Sequence, residues 1–224
     1  GTPLFAVPIL KSLYQNGYQV SAVYTQPPQK SQRGQKINKS PIQSISETLN
    51  IYCRTPEFLK NNEEEYRYLK NLNPDIVIVV AYGQIIPKNF LSLSQKGFIN
   101  IHASLLPKWR GAAPIQRSIM NLEKETGFSI MKINEKLDTG PICNSYKIEI
   151  NKNDNTETIS EKLSSLASDK ILDNIDDILE DRIEFKEQNH IEATYAPKIN
   201  KFEGQIKWNE TAKNIIGKIN GLYP

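Results

Sequence analysis

Apolar and polar positions fall in alternating blocks along this chain, and the blocks predict helices and strands taking turns. Residues 2–16 place Leu4, Phe5, Val7, Ile9, Leu10, Leu13 and Tyr14 at helical spacing and stop at Gly17, so a helix is expected there although Pro8 lies well inside it. Residues 20–25 form a β-branched run and predict a buried strand. Ser40 and Pro41 open a second helix to about Leu49, with Ser as N-cap and Pro in the first turn. A short strand at 51–54 follows. A helix over 57–72 then turns Tyr66, Leu69 and Leu72 to the core and Glu63, Glu64 and Glu65 to a solvated face. Ile76-Val77-Ile78-Val79-Val80 is an unbroken apolar run of the kind that forms a central parallel strand.

The second half repeats the alternation. Strands are expected at 98–102, 127–133 and 141–150, the last two antiparallel, with a helix at 114–121 leading into the second of the three. From Asp154 to about Asp181, Ile159, Leu163, Leu166, Ile171, Ile175 and Ile178 recur mostly every three or four residues and predict a long helix. Strands alternating with helices define an α/β fold, an open, mostly parallel twisted sheet with helices on both faces. The pattern assigns residues 1–182 to one domain, 183–195 to a polar linker and 196–224, with one strand and one helix, to the beginning of a second domain.

Composition narrows the class. With 38% hydrophobic and 24% charged residues the 224-residue chain is globular rather than disordered. No apolar run approaches the roughly 20 residues of a membrane span, and no cationic-then-apolar leader is visible, so a cytoplasmic protein without a membrane partner is expected. The net charge of +3 is slight, so a polyanion site would have to come from local clustering. Cys53 and Cys143 stand far apart and read as two reduced thiols. Dinucleotide, phosphate-loop and zinc patterns are missing, which gives no support for a nucleotide cofactor or a metal. Gly1-Thr2-Pro3 is the kind of turn that follows a first parallel strand, so the chain reads as a piece of a longer protein.

The chemistry concentrates between Phe98 and Gly140. In the run Phe98-Ile99-Asn100-Ile101-His102, Asn100 and His102 are two apart and share one side of a strand. An amide beside an imidazole suits a carbonyl oxygen that gains negative charge in a tetrahedral intermediate. Asp138, in Leu137-Asp138-Thr139-Gly140, can hold the tautomer of that imidazole. Alone, each signal is weak: Asn-x-His on a strand is more often structural, and Asp before Thr-Gly is a common turn residue. The odds change because Ser104-Leu105-Leu106-Pro107 and Trp109-Arg110-Gly111-Ala112-Ala113-Pro114 form a loop more apolar than a surface turn requires. Elsewhere, residues 26–40 carry Lys30, Arg33, Lys36 and Lys39 with no acidic residue, which fits either a solvated loop or one that tracks phosphates. The segment after the 76–80 strand, Ala81 to Pro87, sits where open α/β sheets bind ligands or is simply a packed turn. His190 reads as a solvated residue of the linker.

Asn100-x-His102-x-Ser104-Leu105-Leu106-Pro107, then Trp109-Arg110-Gly111-Ala112-Ala113-Pro114-Ile115-Gln116, then Leu137-Asp138-Thr139-Gly140 together resemble the 10-formyltetrahydrofolate-dependent formyltransferases, and the branch acting on methionyl-tRNA above all. The likeness extends over essentially the whole chain. It implies a Rossmann-like formyltransferase fold followed by a β-barrel-like, tRNA-binding C-terminal domain, and a monomer. It implies transfer of a formyl group from the co-substrate 10-formyltetrahydrofolate to the α-amine of methionyl-initiator tRNA, for translation initiation. Asn100, His102 and Asp138 are then the catalytic residues. Ser104, Leu105, Leu106 and Pro107, with Gln84, Ile85 and Ile86, border the folate, and Lys30, Arg33, Lys36 and Lys39 meet the tRNA, Arg33 foremost. Asn155 stands where the family usually has Thr and carries no catalytic assignment. Three alternatives share the chemistry: formyl transfer to a purine precursor, formyl transfer to an amino sugar, and hydrolysis of the same folate. The sequence leaves open which group moves which proton.

Overall fold

A computed structural model describes residues 1–30 and 37–224. The chain divides into two compact units, residues 1–100 with 167–183, and residues 101–166 with 184–224.

The first unit opens with a 3-10 turn, Leu4–Ala6, and helix α1 (Val7–Gln15). The helix is shorter than residues 2–16, and the reason is Pro8. It occupies one of the first two helical positions, where the missing N–H would have had no partner anyway. Ile9, Leu10 and Leu13 are buried, and the end is closed by Gly17 N–H to Tyr14 O (3.3 Å) and Tyr18 N–H to Leu13 O (3.2 Å). Strands β1 (Val23–Tyr24), β2 (Gln29–Lys30) and β3 (Ile37–Asn38) come next, β2 antiparallel to β3. Helix α2 (Pro41–Thr48) starts at Ser40, whose Oγ accepts Gln43 N–H at 3.0 Å. Strand β4 (Cys53–Arg54) lies parallel to β1.

Helix α3 (Glu63–Leu72) begins six residues later than the apolar pattern suggests. Asn62 is its N-cap, accepting Glu65 N–H, and three glutamates fill the first turn, where the helix dipole favours them. Strand β5 (Val77–Val79) precedes the short helix α4 (Lys88–Leu91), and strand β6 (Phe98–His102) pairs parallel to β5 with Val79 opposite Asn100. Residues 167–179 complete this unit's core with Ala167, Ile171, Ile175 and Ile178, and Ser12 Oγ donates to Ser168 O at 2.7 Å.

In the second unit, strand β7 (Arg110–Gly111) leads into helix α5 (Pro114–Met120) and the long hairpin of β8 (Glu125–Lys132) and β9 (Ile142–Glu149). The hairpin is antiparallel, with a register irregularity between Ile130 and Met131, and buries Phe128, Ile130 and Met131. Phe128 also stacks on Tyr146 at 5.1 Å. Helix α6 (Thr156–Leu179) starts from Asn155, which trades two bonds with Thr158: Asn155 Oδ1 accepts Thr158 N–H and Thr158 Oγ1 accepts Asn155 N–H, both at 2.9 Å. Strand β10 (Tyr195–Ala196) and helix α7 (Ala212–Leu222) follow. Residues 184–224 therefore pack within this unit: β10 runs parallel to β7, Lys186 and Ile142 exchange two backbone bonds of 2.8 Å, and Thr156 Oγ1 donates to Gly221 O at 2.7 Å.

One glutamate of the acidic triplet is not solvated. Glu65 is buried, and Arg54 grips it with Nε on Oε2 (2.5 Å) and Nη2 on Oε1 (2.7 Å). Tyr24 Oη donates to the same Oε2 at 2.8 Å, and the guanidinium lies 4.3 Å from the Tyr68 ring centre. Burial and then Glu65 push the Tyr24 hydroxyl far above its usual range, so it stays a donor. The cluster ties β1, β4 and α3 together. Removing one member leaves a buried charge uncompensated, so Glu65→Ala or Arg54→Ala is expected to cost about 3–5 kcal/mol. Urea unfolding measures this, and a loss under 1 kcal/mol would show that the cluster does not hold the unit.

Candidate active site

His102 ends β6 and is 6% exposed. Its Nε2 lies 2.9 Å from the Trp109 carbonyl oxygen. A carbonyl can only accept, so Nε2 carries the hydrogen and donates. Asp138 Oδ2 is 3.7 Å from the other ring nitrogen, Nδ1, beyond direct hydrogen-bond length but within ion-pair reach. The carboxylate is aimed from elsewhere: Gly111 N–H donates to Oδ2 at 2.8 Å. His102 thus sits between a carbonyl and a carboxylate supplied by the two loops that the motifs mark.

Both loops hold uncommon backbone. Trp109 has φ 60° and Asp138 φ 48°, left-handed values that cost a non-glycine residue about 1–3 kcal/mol each. Strain of this size persists where the surroundings fix it. At Gly140 a Cβ would strike the Lys132 carbonyl, so the turn after Asp138 lies against β8 with no room for a side chain. At Gly111 (φ 121°) a Cβ would come within 2.7 Å of the Ala196 oxygen.

The Ser104–Pro107 turn is held from below. Ser104 is fully buried and its hydroxyl donates to Lys108 O at 2.7 Å. Leu106 is buried, and Leu105 and Pro107 are half-buried. One hydroxyl supports the turn: Ser129 Oγ donates to Ser104 O (2.8 Å) and accepts Leu106 N–H (3.0 Å). Its single hydrogen being spent, the 2.9 Å bond to Ser145 Oγ must come from Ser145.

The remaining expected site residues lie in the first unit. Asn100 is half-buried on β6, two residues before His102, on the side of the strand that alternation assigns to both. Gln84 donates through Nε2 to Pro56 O (2.8 Å) and Glu57 O (3.2 Å), leaving its buried Oε1 without a partner among the described residues. Ile85 is 90% exposed, whereas Ile86 turns into a cavity of about 470 Å³ shared with Val23, Val79 and Phe90. Of the basic run, Arg33 and Lys36 lie outside the described residues, the backbone of Lys30 pairs with Ile37, and Lys39 forms an exposed ion pair with Glu47 at 2.7 Å.

Two residues near the site carried no distinctive pattern. Gln188 is buried and its amide bonds Arg110 on one side and the Asp138 and Gly140 carbonyls on the other. His190 is not merely solvated: its Nδ1 accepts from Arg110 Nη2 at 2.9 Å. Burial pushes the Cys143 thiol up to about 11 and raises Cys53 as well, so both thiols are protonated and poorly nucleophilic at neutral pH. Among the described residues no group of three or more His, Cys, Asp or Glu side chains gathers as a metal site, and no helix is long and apolar enough to cross a membrane.

A family model described as formyl transferase matches residues 1–175, which defines the class. Solved structures agree at the level of fold. An N-formyltransferase from Helicobacter canadensis, crystallised with folinic acid and dTDP-3-aminofucose, superposes with a TM-score of 0.75 at 24% identity, covering 99% of this chain and 78% of its own. Phosphoribosylglycinamide formyltransferase from Bacillus halodurans does so with 0.63 at 22%, covering 76% and 87%. The methionyl-tRNA formyltransferase of Pelagibacter ubique is 72% identical over all 224 residues, which span 72% of that protein, and the one from Caldanaerobacter subterraneus is 43% identical with the same coverage. The chain belongs to the methionyl-tRNA formyltransferases.

Ser129→Ala would strand the Leu106 amide and the Ser104 carbonyl. Stability is expected to fall by about 1–3 kcal/mol, measured by urea unfolding, and a change within about 0.5 kcal/mol would show that the hydroxyl does not support the turn.

Proposed function

We propose that the protein transfers the formyl group of 10-formyltetrahydrofolate to the α-amine of methionyl-initiator tRNA, in the cytoplasm. Membership in the family carries the reaction. The observation that carries the site is the buried His102 between the Trp109 carbonyl and Asp138. An α-amine titrates near about 8, and esterification lowers that further, so much of the nucleophile is already neutral and needs no strong base. The harder steps are to hold the tetrahedral oxyanion and to move a proton to the departing N10.

Asn100 supplies the amide donor to the oxyanion. With Nε2 committed to Trp109, proton exchange at His102 runs through Nδ1, on the side where Asp138 waits. Asp138 collects the proton shed by the amine and hands it to His102 Nδ1, which passes the same proton to the leaving nitrogen. Ser104, Leu105, Leu106 and Pro107 wall the reactive end of the folate, and the backbone around Gln84, Ile85 and Ile86 meets its pterin ring. Lys30, Arg33, Lys36 and Lys39 follow the acceptor end of the tRNA.

Sugar and purine-precursor acceptors are less favoured. The solved structures named for those acceptors share 24% identity or less, against 72% for the relative from Pelagibacter ubique.

Two experiments test the reading. Asn100→Ala or His102→Ala should slow formylation of charged initiator tRNA by about 10²–10³-fold with unchanged far-UV circular dichroism, and near-normal rates would refute the assignment. Neutralising the four basic residues together should weaken tRNA binding and lower the slope of log affinity against log salt by about 2–3. If folate affinity alone changed, the basic segment would have another task.

A further inference from the structure

We infer that Gln188 is a positioning residue for Asp138, held in place by the buried guanidinium of Arg110. Arg110 is 2% exposed, and the bonds of its guanidinium go to neutral acceptors: Nε and Nη2 donate to Gln188 Oε1 at 3.0 and 2.6 Å, and Nη2 donates to His190 Nδ1 at 2.9 Å. Among the described residues Arg110 forms no ion pair, and a buried cation held by neutral groups alone is expensive. Its planar fork fixes the orientation of the Gln188 amide, since a guanidinium only donates and must meet the oxygen. Gln188 Nε2 is thereby turned to the Asp138 carbonyl at 2.9 Å and the Gly140 carbonyl at 2.8 Å, on both sides of the turn.

The bonds close a ring. Arg110 holds Gln188, Gln188 holds the Asp138 backbone, and the Asp138 carboxylate takes the N–H of Gly111, the residue next to Arg110. Asp138 is fixed at both ends, through its carbonyl and its carboxylate, in a left-handed conformation. The His102–Asp138 separation is therefore set by Gln188, which comes from the segment between β9 and β10 rather than from either motif loop. Thr194 and Ala196 stitch that segment to the site again: Arg110 N–H donates to Thr194 O at 2.9 Å, Trp109 N–H to Thr194 Oγ1 at 2.9 Å, and Ala112 N–H to Ala196 O at 2.8 Å.

The inference rests on Asp138 acting in the reaction, so Asp138→Asn is assayed beside the Gln188 variants. Gln188→Glu keeps an oxygen for Arg110 but sets a second oxygen against two carbonyls. Gln188→Met keeps the length and removes both functions. His190→Ala withdraws one acceptor at the exposed end of the cluster and does not threaten folding. Formylation by the full chain should show kcat lowered about 10- to 100-fold in the Gln188 variants. It should fall about 3-fold in His190→Ala. KM for both substrates should stay within a factor of about 3, and the shape of the kcat–pH profile should change, since the carboxylate no longer faces the ring at the same distance. A lower melting temperature with unaltered kcat per folded molecule would make Gln188 merely structural and overturn the inference. An inactive Asp138→Asn beside fully active Gln188 and His190 variants would overturn the tether alone, whereas a fully active Asp138→Asn would remove the reading of the site and the tether with it.

Discussion

A carbonyl oxygen has no hydrogen to give, and the site depends on that asymmetry. Because the Trp109 carbonyl takes one edge of the His102 ring, the hydrogen on Nε2 is fixed in place before any substrate arrives. The opposite edge is the one that can change, and it faces Asp138. Much of the second unit serves this arrangement. The strained Trp109 and Asp138 backbones point a carbonyl and a carboxylate at opposite edges of one ring, and β8 and β10 crowd the glycines beside them. The cost is the kind of backbone strain that natural proteins retain where geometry matters for chemistry.

Arg54 and Arg110 are held differently, and the contrast is informative. Arg54 meets carboxylates: Glu65 bidentately and Glu64 at the surface, with an aromatic ring beneath. Its charge is cancelled where it stands, and the cluster serves packing. Arg110 meets an amide and an imidazole. Its charge is distributed over neutral dipoles and remains as a positive potential within a unit whose proposed chemistry develops negative charge. The same type of side chain thus does two physical tasks, at Arg54 and at Arg110.

Legibility followed the type of signal. Apolar periodicity located α1, α3 and α6 because each buries apolar residues at helical spacing, and period is what burial imprints on sequence. Boundaries were set by local chemistry. Pro8 begins a helix instead of interrupting one, and Asn62 starts α3 later than its apolar residues suggest. Asn100, His102 and Asp138 drew attention because they sit in dense motifs. Glu65 and Gln188 were not. Each lies in a polar stretch, Glu63-Glu64-Glu65 and Lys186-Glu187-Gln188, that looks solvated until the partner arrives from a distant part of the chain. No pattern in a single sequence marks which polar residue of three will be drawn inside. For the same reason residues 183–195 read as a polar linker, and within that stretch the backbone of Lys186 pairs with Ile142 and that of Tyr195 with Arg110.

The two-residue pairing of β7 with β10 has a consequence for recombination between relatives. Gly111 has no space for a methyl group because the Ala196 carbonyl occupies it, so the motif loop and the later strand have to be inherited as a matched set. A chimera joined anywhere between the Leu137–Gly140 turn and Ala196 would bring together halves shaped against different counterparts.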